Sequence, residues 1–360
     1  MQTLTIHIFY PEHDIALAIN RDRFTPSFSV RKLKSDIGFI PALWSNNGDI
    51  VIVDDVELSS CAYKHLQYDY KPDVKFMTFE DLAKMELYND VNIDIDSWGW
   101  NSNIALKLKN VGIINGIPTK AQLQEIRRLS CRRECADVLS SLRDGLEKIT
   151  CGNSYSCTSE EHINSLINKY KNIVIKAPWS SSGRGVRFIS SLSLKNVSGW
   201  INNIISKQGC IIVEPYYNNI KDFAMEFYSD GKGNINYLGL SVFETINGTY
   251  CGNVIATEDK KTALLIEYIN NDLLEILKQR ICNCFAKRLN GIYKGPFGID
   301  MMIVADNSKN NFLVNPYVEL NLRRTMGHIA LSLVPNNNTK YSLMRINHDG
   351  QSFKFQIINQ

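Results

Sequence analysis

The sequence predicts a small N-terminal α/β domain followed by a strand-rich α+β region. Three observations carry this. Short apolar strands alternate with helix-like stretches in the first third of the chain, the spacing of a small parallel sheet. Asn115, Gly116 and Pro118 then punctuate the chain and mark a domain boundary. From residue 172 onward β-like segments dominate, broken by one long helical stretch. A length of 360 residues suits two or three domains at about 150 residues each.

Taken in order, "LTIHIF" alternates as a strand and breaks at Pro11, and "DIALAIN" opens a helix with Asp14 as its cap. "DIGFIPALWS" is helix-like despite Pro41, "DIVIVDD" and "VKFMT" are short strands, and "TFEDLAKMEL" is a helix with Thr78 as N-cap and Asp81 closing a capping box. "NSNIALKLKNVG" is a helix ending at Gly112. Two helical stretches follow, "KAQLQEIRRLSCRRECADVLSSL" and "SEEHINSLINKY", joined by the loop "TCGNSYSCTS". "NIVIKA", "VRFIS", "GCIIVEPYY", "DFAMEFYSD" and "INYLGLSVFETI" are strands. Residues 261–288 carry apolar side chains at three-and-four spacing and predict one helix. "FGIDMMIV" and "FLVNPYVELNL" form a further strand pair, and the tail from 336 is polar, then strand-like.

Composition excludes several classes. Lys plus Arg total 40 against 37 Asp plus Glu, a net of +3, which gives no field for nucleic acid or a membrane surface. No apolar run reaches the roughly 18 residues of a membrane span, and "MQTLTIHIFY" lacks the basic and apolar regions of a signal peptide. The nine cysteines include no C-x-x-C pair and are expected to be reduced, mostly buried thiols in a cytoplasmic protein.

The chemistry concentrates in two places. "VIKAPWSSSGRGVRFI", residues 174–189, reads as strand, Gly/Ser loop, strand. Such a loop lets successive backbone N–H groups approach an anion. Arg184 adds charge from the loop, and Lys176 would meet a phosphate from the strand behind. Neither the P-loop nor the dinucleotide fingerprint is present. Further on, Asp300 lies in one strand and Glu319 and Asn321 in the next, and strand alternation puts Glu319, Asn321 and Arg323 on one face. Two carboxylates and an amide oxygen make a hard-oxygen site of the kind Mg²⁺ takes, with water and nucleotide phosphates completing the shell. Arg323 beside it would face a phosphoryl or carboxylate group.

Together "VIKAPWSSSGRGV", "IIVEPYY", "GPFGIDMMIV" and "VELNLRR", in that order, resemble the ATP-grasp superfamily of carboxylate–amine and carboxylate–thiol ligases. The resemblance covers roughly residues 120–335. "FYPEHDIALA" and "WGW" are similar to an uncharacterised bacterial branch and bring no substrate. The resemblance implies a two-lobed fold: an N-terminal domain over 1–117, a glycine-loop lobe over 118–213 and a metal-site lobe over 214–360. It implies ATP and Mg²⁺ (or Mn²⁺) as cofactors, with Asp300, Glu319 and Asn321 as metal ligands. Lys176 and the loop, with Ser181, Ser182, Gly183, Arg184 and Gly185, would hold the phosphates. Glu214, Pro215, Tyr216 and Tyr217 match the segment at the adenine edge, and Asp222 falls near the ribose. Arg132 or Arg133 would supply a further cation, and Arg323 with Lys176 would act at the transferring phosphoryl group.

The implied activity is ATP-dependent activation of a carboxylate as an acyl phosphate for attack by an amine or thiol. The partners are small-molecule or peptide substrates, with no nucleic acid and no membrane, and a homodimer is left open. A small-molecule kinase on the same fold, or a non-catalytic nucleotide-binding protein, stays as the alternative. Several residues have two readings each. Trp98 and Trp100 are packing or a substrate wall. Glu226 is a substrate-side group or part of a structural pair. His13 belongs to a cap turn or is catalytic, and His328 is structural or touches substrate.

Overall fold

The computed structural model describes residues 3–66, 68, 71–85, 92–180, 185–190, 194–246, 249–306, 311–333 and 341–359. Three sheets organise the chain.

The first comprises β1 (Thr3–Ile8), β2 (Ile50–Ile52), β3 (Lys75–Met77) and β4 (Asn92–Ser97). All are parallel, in the order β3-β2-β1-β4. Between them run α1 (His13–Ile19), α2 (Phe28–Asp36), α3 (Val56–His65) and α4 (Phe79–Lys84), and α5 (Ser102–Asn110) follows β4. Ile50, Val51 and Ile52 are buried without alternation, as a parallel strand covered on both faces requires. Thr78 and Asp81 form the expected capping box of α4. Asp14 does not cap α1: Glu12 holds that position, and the Asp14 carboxylate is drawn to an arginine elsewhere in the chain. The stretch around Pro41 is only a short 3₁₀ turn, Ile40–Leu43, because proline lacks the N–H that a helix interior needs.

The second sheet is antiparallel, in the order β5-β8-β6-β7. It contains β5 (Tyr155–Cys157), β6 (Asn172–Lys176), β7 (Val186–Ser190) and β8 (Ile211–Pro215). Ahead of it come α6 (Lys120–Leu129) and α7 (Cys135–Arg143). These are two helices where the sequence predicted one, split by a 3₁₀ turn over Arg132–Glu134. The chain bends there because Arg132 N donates to Pro178 O at 3.1 Å and its side chain turns inward. β5 occupies what was predicted as loop. α8 (Glu160–Tyr170) and α9 (Ser198–Gln208) cover one face, over a separate core of Ile163, Leu166, Ile173, Ile175, Ile201 and Val213.

The third sheet has seven strands, in the order β13-β12-β9-β10-β11-β14-β15. They are β9 (Asn219–Asp230), β10 (Ile235–Ile246), β11 (Thr249–Ile255), β12 (Lys294–Asp306), β13 (Asn311–Asn321), β14 (Ser342–His348) and β15 (Phe353–Asn359). The predicted long helix is α10 (Glu258–Ile266) and α11 (Asn271–Leu289). The Asn270 side chain accepts from Asp272 N to start the second of these. α12 (Met326–Ser332) follows the turn after β13. A single continuous core joins this sheet to the N-terminal domain, from Ile6 and Ile50 through Phe227, Phe285 and Phe297. All nine cysteines are free and five are buried. Among the described residues no helix is long and apolar enough to cross a membrane.

Candidate active site

β12 and β13 pair antiparallel so that Asp300 lies directly opposite Glu319 and Gly298 opposite Asn321. On the other side of β12, β9 sets Glu226 against Gly298, Ala224 against Asp300 and Asp222 against Met302. One sheet face therefore carries Asn321, Glu319, Asp300, Glu226 and Asp222. Burial and the facing Glu319 charge push the Asp300 carboxyl up to about 7, against a hydrogen bond with Asn321 and the charge of Arg323. Two opposed carboxylates with an amide oxygen fit a hard divalent cation. Among the described residues no three acidic, histidine or cysteine side chains gather into a cage made of protein alone. Asp222 stands further along the face, accepting from Thr245 Oγ1 at 2.6 Å and Asn219 Nδ2 at 2.9 Å.

Arg132 faces this pair from the turn after α6. It is buried, and its Nη2 donates to Glu319 Oε1 at 2.5 Å. It also donates through Nη1 to Ala177 O and Ser180 Oγ, both at 2.7 Å, and through Nη2 to Ser180 O at 3.1 Å. One guanidinium thus ties the end of β6 to the carboxylate strand. Arg133 turns away to Cys210 Sγ at 3.2 Å, so of the two candidates Arg132 is the one beside Glu319.

In the second sheet, Val174 pairs with Phe188 and Glu214, and Lys176 with Val186 and Ile212. These side chains share the face away from α8 and α9. Lys176 Nζ and Glu214 Oε2 form a buried ion pair at 2.7 Å. Pro215 pairs with Ile173. Tyr216 is half exposed, with its ring edge-on to Phe188 at 5.9 Å. Tyr217 is held as a phenol, its pKa raised by burial. Phe188, itself 55% exposed, is an apolar wall that the strand pattern alone does not single out. Gly185 is required by close approach: a Cβ there would lie 2.3 Å from Ser180 Oγ. Ser181, Ser182, Gly183 and Arg184 lie outside the described residues.

Arg323 does not continue the strand face as predicted. β13 stops at Asn321, and Arg323 turns back, its N donating to Asn321 O at 2.8 Å. The cause is Asp14, whose carboxylate takes both Nε (3.1 Å) and Nη2 (2.9 Å) of the guanidinium. Burial opposes charge on Asp14, but Arg323 outweighs it and holds the carboxyl below its usual range. Arg324 reaches Asp96, with Nη2 at 2.9 Å from both oxygens, and stacks on Trp44. Asp96 also contacts His7 Nδ1 at 2.8 Å and Trp44 Nε1 at 2.7 Å. The "WGW" segment seals this junction. Trp98 O accepts from Arg324 N, and both tryptophans are buried in the core. A Cβ on Gly99 would lie 2.6 Å from His13 Nδ1 and 2.9 Å from Arg323 Cβ. Asp14, Asp96 and Gly99 are the site neighbours that sequence reasoning missed; the motifs were visible, but Asp14 lies 309 positions from Arg323 and Asp96 lies 228 from Arg324.

Glu226 and His328 face each other beneath the site. Glu226 Oε1 accepts from Thr325 Oγ1 at 2.8 Å, and Oε2 lies 3.0 Å from His328 Nδ1 without hydrogen-bond geometry. Burial pushes Glu226 up to about 8 and His328 down to about 3, so the pair is neutral and not an ion pair. A cavity of about 530 Å³ between α10 and α11, lined by Tyr237, Glu258, Ile266 and Lys278, holds none of the predicted site residues.

No family model matches the chain, and no curated protein matches it. Solved structures do. N5-carboxyaminoimidazole synthetase from Staphylococcus aureus, complexed with ADP, aligns at 16% identity and TM-score 0.50 over 98% of this chain and 84% of that chain. The biotin carboxylase β-γ-ATP complex from Campylobacter jejuni aligns at 13% identity and TM-score 0.51 over 98% and 77%. The biotin carboxylase domain of Hydrogenobacter thermophilus 2-oxoglutarate carboxylase, with MgADP, ADP and bicarbonate, aligns at 15% identity and TM-score 0.52 over 83% and 69%. At these identities the likeness is one of fold: an N-terminal α/β domain followed by the two-lobed ATP-grasp architecture.

Proposed function

We propose that the chain is an ATP-dependent ligase that activates a substrate carboxylate as an acyl phosphate for attack by an amine or thiol. The observation that carries the reading is the facing of Asp300 and Glu319 across β12 and β13, with Asn321 alongside and Arg132 donating to Glu319. The nucleotide complexes formed by proteins of the same fold support ATP as the phosphoryl donor. Asp300, Glu319 and Asn321 would hold a divalent cation, which when bound would neutralise charge on the phosphates. Lys176 and Gly185, with Ser181, Ser182, Gly183 and Arg184, are assigned to the phosphates. Glu214 to Tyr217 are assigned to the adenine edge and Asp222 to the ribose. Arg132 and Arg323 are assigned to the reacting groups.

In the proposed reaction a carboxylate oxygen attacks the γ-phosphorus and the bond to the leaving ADP oxygen breaks. The amine nitrogen then attacks the acyl carbon, phosphate leaves with the bonding pair, and the amine loses a proton. The protein's part is positioning and charge neutralisation.

A screen of carboxylic acids for ADP release identifies the substrate. With that acid, MgATP and hydroxylamine, a hydroxamate is expected. Glu319→Gln should stay folded and lose ADP release by 100-fold or more, on the order of one removed transition-state contact. A stable phosphorylated alcohol, inert to hydroxylamine, would instead establish a kinase. Wild-type turnover by folded Glu319→Gln would remove the metal assignment.

A further inference from the structure

His13 opens α1 at the junction beside Arg323 and is 1% exposed. Its protonation is fixed by a neighbour whose orientation is itself fixed. Asn101 caps α5: its Oδ1 accepts from Asn103 N at 3.0 Å and Ile104 N at 3.1 Å. The amide oxygen is therefore committed, and the nitrogen Nδ2 is the atom 3.2 Å from His13 Nδ1. An amide nitrogen only donates, so Nδ1 accepts and carries no proton. The neutral ring then carries its proton on Nε2.

The charges around the ring agree. Burial, the largest influence, and Arg323 push His13 down to about 4 against the upward pull of Asp14. In a Ser-His-Asp arrangement the aspartate accepts from Nδ1–H and readies Nε2 as a base. Here Asp14 is engaged by Arg323, Nδ1 faces a donor, and Nε2 is already protonated. The ring is built to donate, not to take a proton.

Among the described residues the hydrogen bond of the ring is the one at Nδ1 to Asn101, which leaves Nε2–H for a ligand. Gly99 leaves no side chain between the ring edge and Arg323: a Cβ there would lie 2.7 Å from His13 Cε1 and 2.9 Å from Arg323 Cβ. The flanking Arg323 and Asp14 side chains retain 16% and 19% exposure.

We propose that His13 is a catalytic residue, a permanently neutral imidazole that donates Nε2–H to an oxygen of the acyl phosphate held beside Arg323. The inference rests on the ligase reading. It identifies a group that stabilises charge on the intermediate while leaving the incoming amine to lose its proton elsewhere.

The test uses the full chain and ¹⁵N imidazole NMR, with the His13 signals assigned by their loss in His13→Gln. Nδ1 should be unprotonated and Nε2 protonated throughout about pH 5 to 8. MgADP with acetyl phosphate, a minimal mimic of the intermediate, should shift the Nε2–H signal. In ADP release with the identified acid, His13→Ala should lower kcat about 100-fold with KM for ATP unchanged, while His13→Gln, which keeps a donor, should stay within about tenfold of wild type. Asn101→Asp still caps α5 but presents a carboxylate to Nδ1. It should recruit a proton there and give kcat a pH dependence near neutrality that wild type lacks. An Nδ1–H tautomer, an unmoved Nε2 signal, or wild-type kcat in folded His13→Ala would each overturn the role. The NMR measurements need no turnover, so loss of the ligase reading in the hydroxylamine trap is distinguishable from loss of this one.

Discussion

Gly99→Ala isolates the junction between the N-terminal domain and the arginine that follows the carboxylate strands. The added methyl group would sit 2.6 and 2.7 Å from His13 Nδ1 and Cε1 and 2.9 Å from Arg323 Cβ. Carbon contacts relax at about 3.5–4.0 Å, so the imidazole and the arginine stem must part by roughly 1 Å. Neither is free to swing: His13 is bonded to Asn101, and Arg323 is gripped by Asp14 through two nitrogens. Overpacking of this kind costs about 1–3 kcal/mol, a shift of a few degrees in Tm for a chain of this size. The larger effect falls on activity, since a misplacement of about 1 Å at a positioning group costs about 100-fold. Lys176 and Glu214 lie in a different sheet and keep their geometry, so nucleotide affinity should be unchanged. The assays are thermal unfolding by circular dichroism, nucleotide titration by calorimetry, and ADP release. A Gly99→Ala protein with wild-type kcat would refute the argument that this contact sets the position of Arg323.

Two further outcomes are expected. Lys176→Met leaves Glu214 as a buried, uncompensated carboxylate and should cost about 3–5 kcal/mol in urea unfolding. Lys176→Met with Glu214→Gln should recover part of that loss, and equal stability of the single and double variants would show that the pair is not coupled. Glu226 is pushed up to about 8 from 4.5, so between those pH values the folded state holds a proton that the unfolded state has released. Its contribution to stability therefore falls as pH rises through that window. Glu226→Gln cannot titrate and should gain stability relative to wild type from pH 4.5 to 8, and a pH-independent difference would contradict the raised value.

Much of the candidate site's arrangement was legible because it is local. Asp300, Glu319 and Asn321 sit in strands where alternation puts Glu319 and Asn321 on one face, and Lys176 ends a strand bounded by an obvious glycine loop. What was not legible depends on non-local geometry. Nothing near residue 323 announces that β13 ends at Asn321; the turn is set by Asp14, at the other end of the chain. The predicted single helix over 261–288 fails at Asn270 because a capping side chain outweighs a continuous apolar pattern. The break between α6 and α7 serves Arg132, whose partners lie in β13 and after β6. Glu226 and His328 each had a structural reading beside a functional one in the sequence, and burial holds them facing each other as a neutral pair.

The order β3-β2-β1-β4 reverses direction between β1 and β4, and open parallel sheets take their ligands in the crevice beyond the strand ends at such a point. Here that crevice is filled from within. Arg324 lies on Asp96 at the end of β4, and Arg323 lies on Asp14 just past β1. The N-terminal domain thus receives two arginines of its own chain in the place where a free-standing relative of such a sheet would receive a small molecule. Severing the linker near Gly116 would strip the partly buried Asp14 and Asp96 of their counter-charges, and the domain would exist alone only with an acidic socket open to any planar guanidinium.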